Sequence, residues 1–158
     1  MTVKLAGGLL ILAAGFFAAQ LGAYREKKRL TVLDAWLELL LEIRTQIDCY
    51  LTPLDEILQN ARPALLQACT GGEDVKPSLA ELLNAAESCL DPECQRLLQA
   101  FTREIGASYR DEQLKRCDFY LQALQVERER IARALPARVK LTVTLSLCAA
   151  IGIAIILW

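Results

Sequence analysis

The sequence predicts an all-α protein, a bundle of about five helices at residues 30–136 with one hydrophobic helix at each end of the chain. Apolar residues recur at steps of three and four through the middle of the chain, which is the period of an amphipathic helix, and no segment alternates like a strand. Two long apolar runs occupy the ends. Apart from Lys4, every charged residue lies between Arg25 and Lys140.

The C-terminal apolar run, residues 141–158, has about eighteen residues without a charge. A helix needs roughly 20 apolar residues to cross a bilayer core of about 30 Å, so we expect a transmembrane helix at residues 139–158. Arg138 and Lys140 lie just before the apolar run, and basic flanks stay on the cytoplasmic side, which predicts a cytoplasmic bundle. The alternative is a buried core helix, but a small bundle rarely encloses a helix that is apolar on every face.

The N-terminal apolar run, residues 3–23, predicts a second transmembrane helix or uncleaved signal-anchor. A cleaved signal peptide is the alternative, but the basic cluster at residues 25–29 follows the run, where positive charge resists translocation. Small residues spaced four apart allow membrane helices to pack closely. We expect this packing at two such pairs: Gly15 with Ala19, and Ser146 with Ala150.

The first part of the bundle reads as two or three helices. Residues 30–47 carry apolar positions at threes and fours, with Trp36 predicted in the core. Thr52 is predicted to cap the next helix with Pro53 as its first residue, and acidic residues follow in its first turn, which suits the helix dipole. This helix should bend or stop before Pro63.

The second part of the bundle begins after residues 70–77, which have a linker's composition. One helix is predicted from Leu79, another starts at Asp91 and Pro92 and ends before Gly106, and a long helix follows. Pro136 is predicted to interrupt that long helix. Its apolar seam has the heptad spacing of a coiled coil and contains one charge. The seam consists of Leu114, Cys117, Leu121, Leu124, Arg128, Ile131 and Leu135.

The amino-acid composition argues against a catalytic or metal-binding site in this chain. It has six cysteines and no histidine, so the commonest general base and metal ligand is missing. We expect no catalytic site, no metal and no cofactor, and we interpret the cysteines as small buried hydrophobes in a reducing cytoplasm. The net charge of −1 gives no electrostatic footprint for nucleic acid, so we expect no nucleic-acid partner.

Four features together carry a family resemblance. They are an N-terminal apolar helix ending in basic residues, the stretch QIDCYLTPLDEIL at 46–58, the stretch LQAFTREIG at 98–106 leading through Asp111 to Gln113, and a C-terminal apolar helix. This combination resembles stage III sporulation protein AB of endospore-forming bacteria, a family related to the inner-membrane platform proteins of type II secretion and type IV pilus systems. The likeness spans nearly the whole chain.

The chain also departs from the family pattern. Gln46 stands where the family has Glu, and the tyrosine is displaced to Tyr50, which weakens any charged contact surface at those positions. Ser146 and Ala150 replace a pair of glycines in the last helix, and their small side chains keep helix packing possible.

The resemblance implies a bundle similar to the type II secretion platform domain and a non-enzymatic role in a channel complex between mother cell and forespore. It implies a location in the mother-cell membrane facing the forespore. The implied partners are a hexameric cytoplasmic ATPase, stage III sporulation protein AA, and other membrane subunits of the same complex. The expected partner surface consists of Asp48, Thr52, Pro53, Asp55 and Glu56.

A second hypothesis keeps the membrane anchor but changes the role. Here the chain is a self-associating helical scaffold in division or envelope maintenance, a homo-oligomer formed through the seam at residues 114–135. An isolated peptide of that segment that stays monomeric at high concentration would count against this second hypothesis.

Overall fold

The structure, a computed structural model, describes residues 2–50, 52–73, 78–106 and 109–157. Throughout these residues the secondary structure is helical, with no strand, and the all-α prediction is confirmed there. A short 3₁₀ helix, Glu87–Cys89, follows the fourth helix. The α-helices are α1 Thr2–Tyr50, α2 Leu54–Asn60, α3 Pro63–Cys69, α4 Leu79–Ala86, α5 Pro92–Glu104 and α6 Arg110–Leu157.

The chain divides into two compact units. One is Lys28–Ile131, called the bundle below, and the other is formed by Met1–Lys27 and Ala132–Trp158. The bundle has one hydrophobic core in which Trp36 and Phe101 are fully buried. The Nε1–H of Trp36 donates to the carbonyl oxygen of Cys69 at 3.1 Å, so the indole satisfies a carbonyl at the end of α3 while its ring fills the core. The prediction for Trp36 is confirmed.

Three ion pairs join α1 and α6 within the bundle. Nε–Oδ1 distances are 2.6 Å for Arg128 with Asp34 and 2.6 Å for Arg44 with Asp118, and Arg110 Nη2 lies 2.8 Å from Asp48 Oδ1. The paired residues of α1 have increasing sequence numbers, 34, 44 and 48, while their partners in α6 have decreasing ones, 128, 118 and 110. The two helices are therefore antiparallel. Half-exposed pairs of this kind contribute about 0.2–1 kcal/mol each, so they fix register more than they stabilise the fold.

The predicted seam of α6 faces the interior of its own chain. Cys117, Leu121, Leu124 and Ile131 are buried in the core cluster, and Arg128, the charge in the seam, lies at its edge beside Asp34. Self-association through this seam, as the scaffold hypothesis requires, is therefore not available to the folded bundle. The heptad spacing was correct, but its partners are helices of the same chain.

Two predicted helix boundaries at prolines are wrong. Pro53 does not start α2 but precedes it: its extended backbone, ψ 145°, leaves its carbonyl free to accept hydrogen bonds from the N–H groups of Glu56 and Ile57, both at 3.1 Å. Thr52 is therefore not the cap. Pro136 lies inside α6, which continues to Leu157. A proline removes one helix hydrogen bond and bends the axis, and here it does not end the helix. The stop before Pro63 is confirmed.

The other unit brings α1 and α6 close together. Ala19 is buried, and a Cβ at Gly22 would stand 2.5 Å from the methyl carbon of Thr142, so only glycine permits this approach. Ser146 is half-buried, whereas Gly15 and Ala150 lie outside the residues whose burial the structure describes.

Parts of both predicted membrane spans lie outside the described side chains: residues 3–13, 15, 16 and 18 in the first, and residues 150 and 153–158 in the second. Within the part of the chain that the structure describes, none of the helices has a stretch hydrophobic and long enough for a bilayer crossing.

Candidate protein-interaction surface

A cavity of about 570 Å³ opens at the end of the bundle where α1 ends and α6 begins, and we call it the tip pocket. Four parts of the chain contribute to it: the last turns of α1, the start of α2, the turn after α5 and the first turn of α6. The chain enters the bundle at Lys28 and leaves it at Ile131, both at the opposite end. The lining residues are Ile47, Thr52, Pro53, Leu54, Asp55, Ile105, Gly106, Arg110 and Gln113.

Local chemistry at the start of α2 positions one wall of the tip pocket. Because the carbonyl of Pro53 receives the first helix hydrogen bonds, the hydroxyl of Thr52 is not used for capping. Thr52 is half-buried, while Pro53 and Asp55 are exposed. Asp55 lies in the first turn, where a carboxylate is favoured by the helix dipole, and it provides negative charge at the rim.

The opposite wall depends on Gly106. Its φ of 89° is left-handed, a conformation that glycine adopts without the strain of a Cβ, and it ends α5 as the sequence predicted. The preceding residue, Ile105, is buried, and its backbone N–H donates to the carbonyl oxygen of Phe101 at 2.9 Å. The turn thus holds Ile105 as an apolar part of the lining and directs the chain toward α6.

Arg110 provides the positive charge at the rim. Its Nη2 donates to the Oδ1 of Asp48 at 2.8 Å and to the carbonyl oxygen of Asp48 at 2.5 Å. Asp48 also lies 3.8 Å from Arg44, whose hydrogen bond to Asp118 raises the pKa of the Arg44 guanidinium. Asp48, predicted as a partner residue, is therefore held between two arginines and supports the rim.

A smaller hollow of about 360 Å³ lies beside the tip pocket. Thr52 lines both, and Glu56, the remaining predicted partner residue, lines only the smaller one. The predicted surface is thus divided between two depressions. Gln46 and Tyr50 also line the smaller hollow.

Two exposed tyrosines belong to the same end of the bundle. Tyr50, the last residue of α1, is 71% exposed, and Tyr109, which immediately precedes α6, is 91% exposed. Tyrosine combines a large apolar ring with a hydroxyl and is enriched at residues that dominate binding energy in protein interfaces. This end of the bundle therefore exposes two large aromatic side chains.

Segments far apart in sequence meet at the tip pocket. Thr52 to Asp55 come from the stretch at 46–58, Ile105 and Gly106 from the stretch at 98–106, and Gln113 from the start of α6. They belong to two of the four features that carry the family resemblance. Sequence reasoning had no reason to place them together, since only tertiary packing brings residues about fifty positions apart into one cavity.

The similarity to known proteins covers the same elements. A family model described as stage III sporulation protein AB matches residues 4–158. The chain belongs to this family. No curated protein and no solved structure matches it. Membership in the stage III sporulation protein AB family implies a role related to sporulation.

Two residues at which the sequence departs from the pattern of the resemblance, Gln46 and Tyr50, line the smaller hollow. The Thr52-Pro53-Leu54 stretch lines the tip pocket.

The cysteines of this family member fall into two groups. Cys69, Cys94 and Cys117 are buried, and burial raises the pKa of these thiols to about 12, 11 and 11, respectively. They match the prediction of small buried hydrophobes. Cys49 and Cys148 are exposed and Cys89 is half-buried, so the prediction is wrong for these three, because apolar neighbours in sequence do not define the buried face of a helix.

Proposed function

We propose that this chain is a non-enzymatic platform component of the sporulation channel complex between mother cell and forespore. Its bundle docks a cytoplasmic secretion-type ATPase, the hexameric stage III sporulation protein AA, at the tip pocket. The observation that carries the proposal is the convergence on that pocket of two of the four features that carry the family resemblance.

The position of the tip pocket supports a soluble partner. From Lys28 to Tyr50, α1 extends for about 33 Å at 1.5 Å per residue, and the tip pocket lies at the Tyr50 end. The apolar terminal segments join the bundle at the Lys28 end. The tip pocket thus lies at the end of the bundle away from Lys28 and Ile131, which supports approach by a soluble partner such as a cytoplasmic ATPase.

The chemistry of the tip pocket supports insertion of a partner side chain. Ile47, Leu54 and Ile105 provide apolar lining, and Asp55 and Arg110 provide opposite charges at the rim. Interfaces concentrate their energy in such desolvated pockets surrounded by polar groups. The exposed tyrosines beside it enlarge the apolar contact area.

Membrane attachment is part of the proposal. Residues 3–23 and 139–158 anchor the chain in the mother-cell membrane facing the forespore, with the bundle in the cytoplasm and the anchors available to other membrane subunits. Support comes from the apolar terminal runs, their basic flanks, and the close approach of Gly22 to Thr142.

The self-associating scaffold with its contact at residues 114–135 is the weaker proposal, because the buried residues of that seam pack inside the bundle.

The two proposals are separated by measuring affinity for the ATPase. Full-length protein in mild detergent is titrated with the ATPase by calorimetry, using Thr52→Arg and Asp55→Lys to block the tip pocket. Exposed Glu81→Lys on α4 is the matched control.

A tip-pocket interface predicts at least about tenfold weaker binding for both tip variants, equivalent to about 1.4 kcal/mol, and no change for Glu81→Lys. Equal affinity for all variants would remove the tip pocket from the interface. No binding by folded wild-type protein would remove ATPase docking altogether.

A further inference from the structure

A lysine and a cysteine from distant parts of the bundle meet over the turn that follows α3. A Cβ at Gly71 would stand 3.1 Å from the Sγ of Cys89 and 3.3 Å from the Nζ of Lys28. Because both atoms lie against the same point, the distance from Nζ to Sγ is at most the sum of those two distances. An amine and a thiol, both nucleophiles, are therefore neighbours here, and we call them the Lys28–Cys89 pair.

The turn that carries Gly71 is fixed by hydrogen bonds. The hydroxyl of Thr70, which is buried, donates to the carbonyl oxygen of Gln67 at 2.9 Å and accepts the N–H of Glu73 at 3.0 Å. The N–H of Gly71 donates to the carbonyl oxygen of Ala68 at 3.1 Å, and its φ of 73° is left-handed, which favours glycine. The turn thus presents a surface without a side chain, over which the pair can approach.

An ion pair aligns α1 with the segment that carries Cys89. The Nη1 of Arg29 lies 3.3 Å from the Oδ1 of Asp91, and Asp91 is buried. Arg29 follows Lys28 by one position, and Asp91 follows Cys89 by two. Lys28 and Cys89 are themselves half-buried, so a small molecule in solution can reach the thiol while the surrounding contacts hold the pair together.

We propose that the Lys28–Cys89 pair is a modification site, at which a hydroperoxide converts the amine and the thiol into a sulfenamide, a covalent S–N bond. The thiol of Cys89 first takes one oxygen atom from hydrogen peroxide and becomes a sulfenic acid, and the peroxide leaves as water. The neutral amine of Lys28 then attacks the sulfur and the S–O bond breaks. The departing hydroxide takes a proton from the nitrogen and leaves as a second water. The protein loses two hydrogen atoms and two electrons to the peroxide.

Proximity favours this product over the other fates of a sulfenic acid. Irreversible oxidation to sulfinic acid needs a second molecule of peroxide, whereas the amine is already beside the sulfur. The new bond ties α1 to the 3₁₀ helix and protects Cys89 from further oxidation. A thiol reductant reverses it: one thiol attacks the sulfur and frees the amine, and a second thiol restores Cys89 and leaves as a disulfide.

Peroxide treatment followed by peptide mapping tests the proposal. Full-length protein in mild detergent is treated with hydrogen peroxide, and oxidation of the exposed Cys49 reports that the dose is sufficient. Mass spectrometry of a tryptic digest should find peptides joined through Lys28 and Cys89, at a mass two hydrogen atoms below their sum and with cleavage after Lys28 blocked. Dithiothreitol should restore the separate peptides.

Two lysine variants identify the amine. Lys28→Arg keeps the positive charge but replaces the amine with a guanidinium, so it should abolish the linked product. Dimedone, which captures sulfenic acids, should then label Cys89 at least about tenfold more than in wild type. Lys27→Arg changes the adjacent lysine and is the matched control, and it should give the wild-type yield. Circular dichroism before oxidation checks that both variants are folded.

Three results would overturn the proposal. In the first, Cys89 stays reduced while Cys49 is oxidised. In the second, Cys89 of the wild type proceeds to sulfinic acid without a linked product. In the third, the linkage to Cys89 persists undiminished in Lys28→Arg, which would assign the bond to another amine.

Discussion

Arg110 of α6 donates to both the side chain and the backbone carbonyl of Asp48 in the last turn of α1, at 2.8 and 2.5 Å. The last carbonyls of a helix have no partner within it, so this contact satisfies one of them. It also joins the end of one long helix to the start of the other beside the tip pocket. The geometry of the pocket rim therefore depends on one guanidinium.

Replacing Arg110 with alanine should affect binding more than stability. The ion pair is half-exposed, so its loss should lower the free energy of unfolding by about 1 kcal/mol or less. Because Arg110 also lines the tip pocket, affinity for the ATPase should fall by about tenfold or more. Urea unfolding and calorimetry measure the two effects. Arg96→Ala, which removes an exposed pair with Glu93, is the control and should leave affinity unchanged.

Gly106→Ala should lower both stability and binding. Its left-handed φ of 89° costs about 1–2 kcal/mol for a residue with a Cβ, although open space surrounds the site. Gly72, at φ 108° and also in open space, provides a matched control outside the tip pocket. Gly72→Ala should lower stability by a similar amount and leave ATPase affinity unchanged. An equal loss of affinity in both variants would contradict the role of the turn at Gly106.

The thiols should differ in reactivity. Burial raises the pKa of Cys69 to about 12 and of Cys94 and Cys117 to about 11, so at pH 8 these thiols are protonated as well as buried. Iodoacetamide labelling of folded protein, read by mass spectrometry, should modify Cys49 rapidly and these three at least about tenfold more slowly. Rapid labelling of Cys117 would contradict the packing of α6 in the core.

The same thiols give a pH dependence of stability. Their folded pKa values exceed the ordinary value of 9.0, so between pH 9 and about 11 the unfolded chain releases protons that the folded chain keeps. The free energy of unfolding should therefore be unaffected below pH 9 and should fall as pH rises through this window. Chemical denaturation at pH 8 and pH 10 measures the change, and Cys94→Ala should reduce it.

Cys148 tests the membrane anchor. It is exposed in the folded chain, yet it lies within the proposed span at residues 139–158. In liposomes, a charged maleimide should label Cys49 and leave Cys148 unmodified, and denaturation in detergent should make both reactive. Equal labelling of both residues in intact liposomes would exclude a membrane-buried C-terminal helix.

The sequence predicted features that depend on local pattern. Helical periodicity predicted the helices and the buried seam, and Gly106 marked the end of α5 because a left-handed residue is a local requirement. Trp36 was correctly placed in the core. Its hydrogen bond to Cys69 was not predictable, since nothing near either residue indicates that they meet.

Features that depend on tertiary contact were missed. Arg110 is one of eighteen basic residues, and only the antiparallel packing of α1 and α6 brings it to Asp48. Pro136 was predicted to interrupt α6, but one lost hydrogen bond does not end a helix of this length. Thr52 fitted a capping pattern, yet the carbonyl of Pro53 accepts the first hydrogen bonds of α2.

The most direct test of the central claim is calorimetry of the full-length protein with the hexameric ATPase, stage III sporulation protein AA, comparing wild type, Asp55→Lys and Glu81→Lys. We predict micromolar or tighter binding for wild type and Glu81→Lys, and at least about tenfold weaker binding for Asp55→Lys. The same affinity for all three proteins, or no binding by any of them, would contradict docking at the tip pocket.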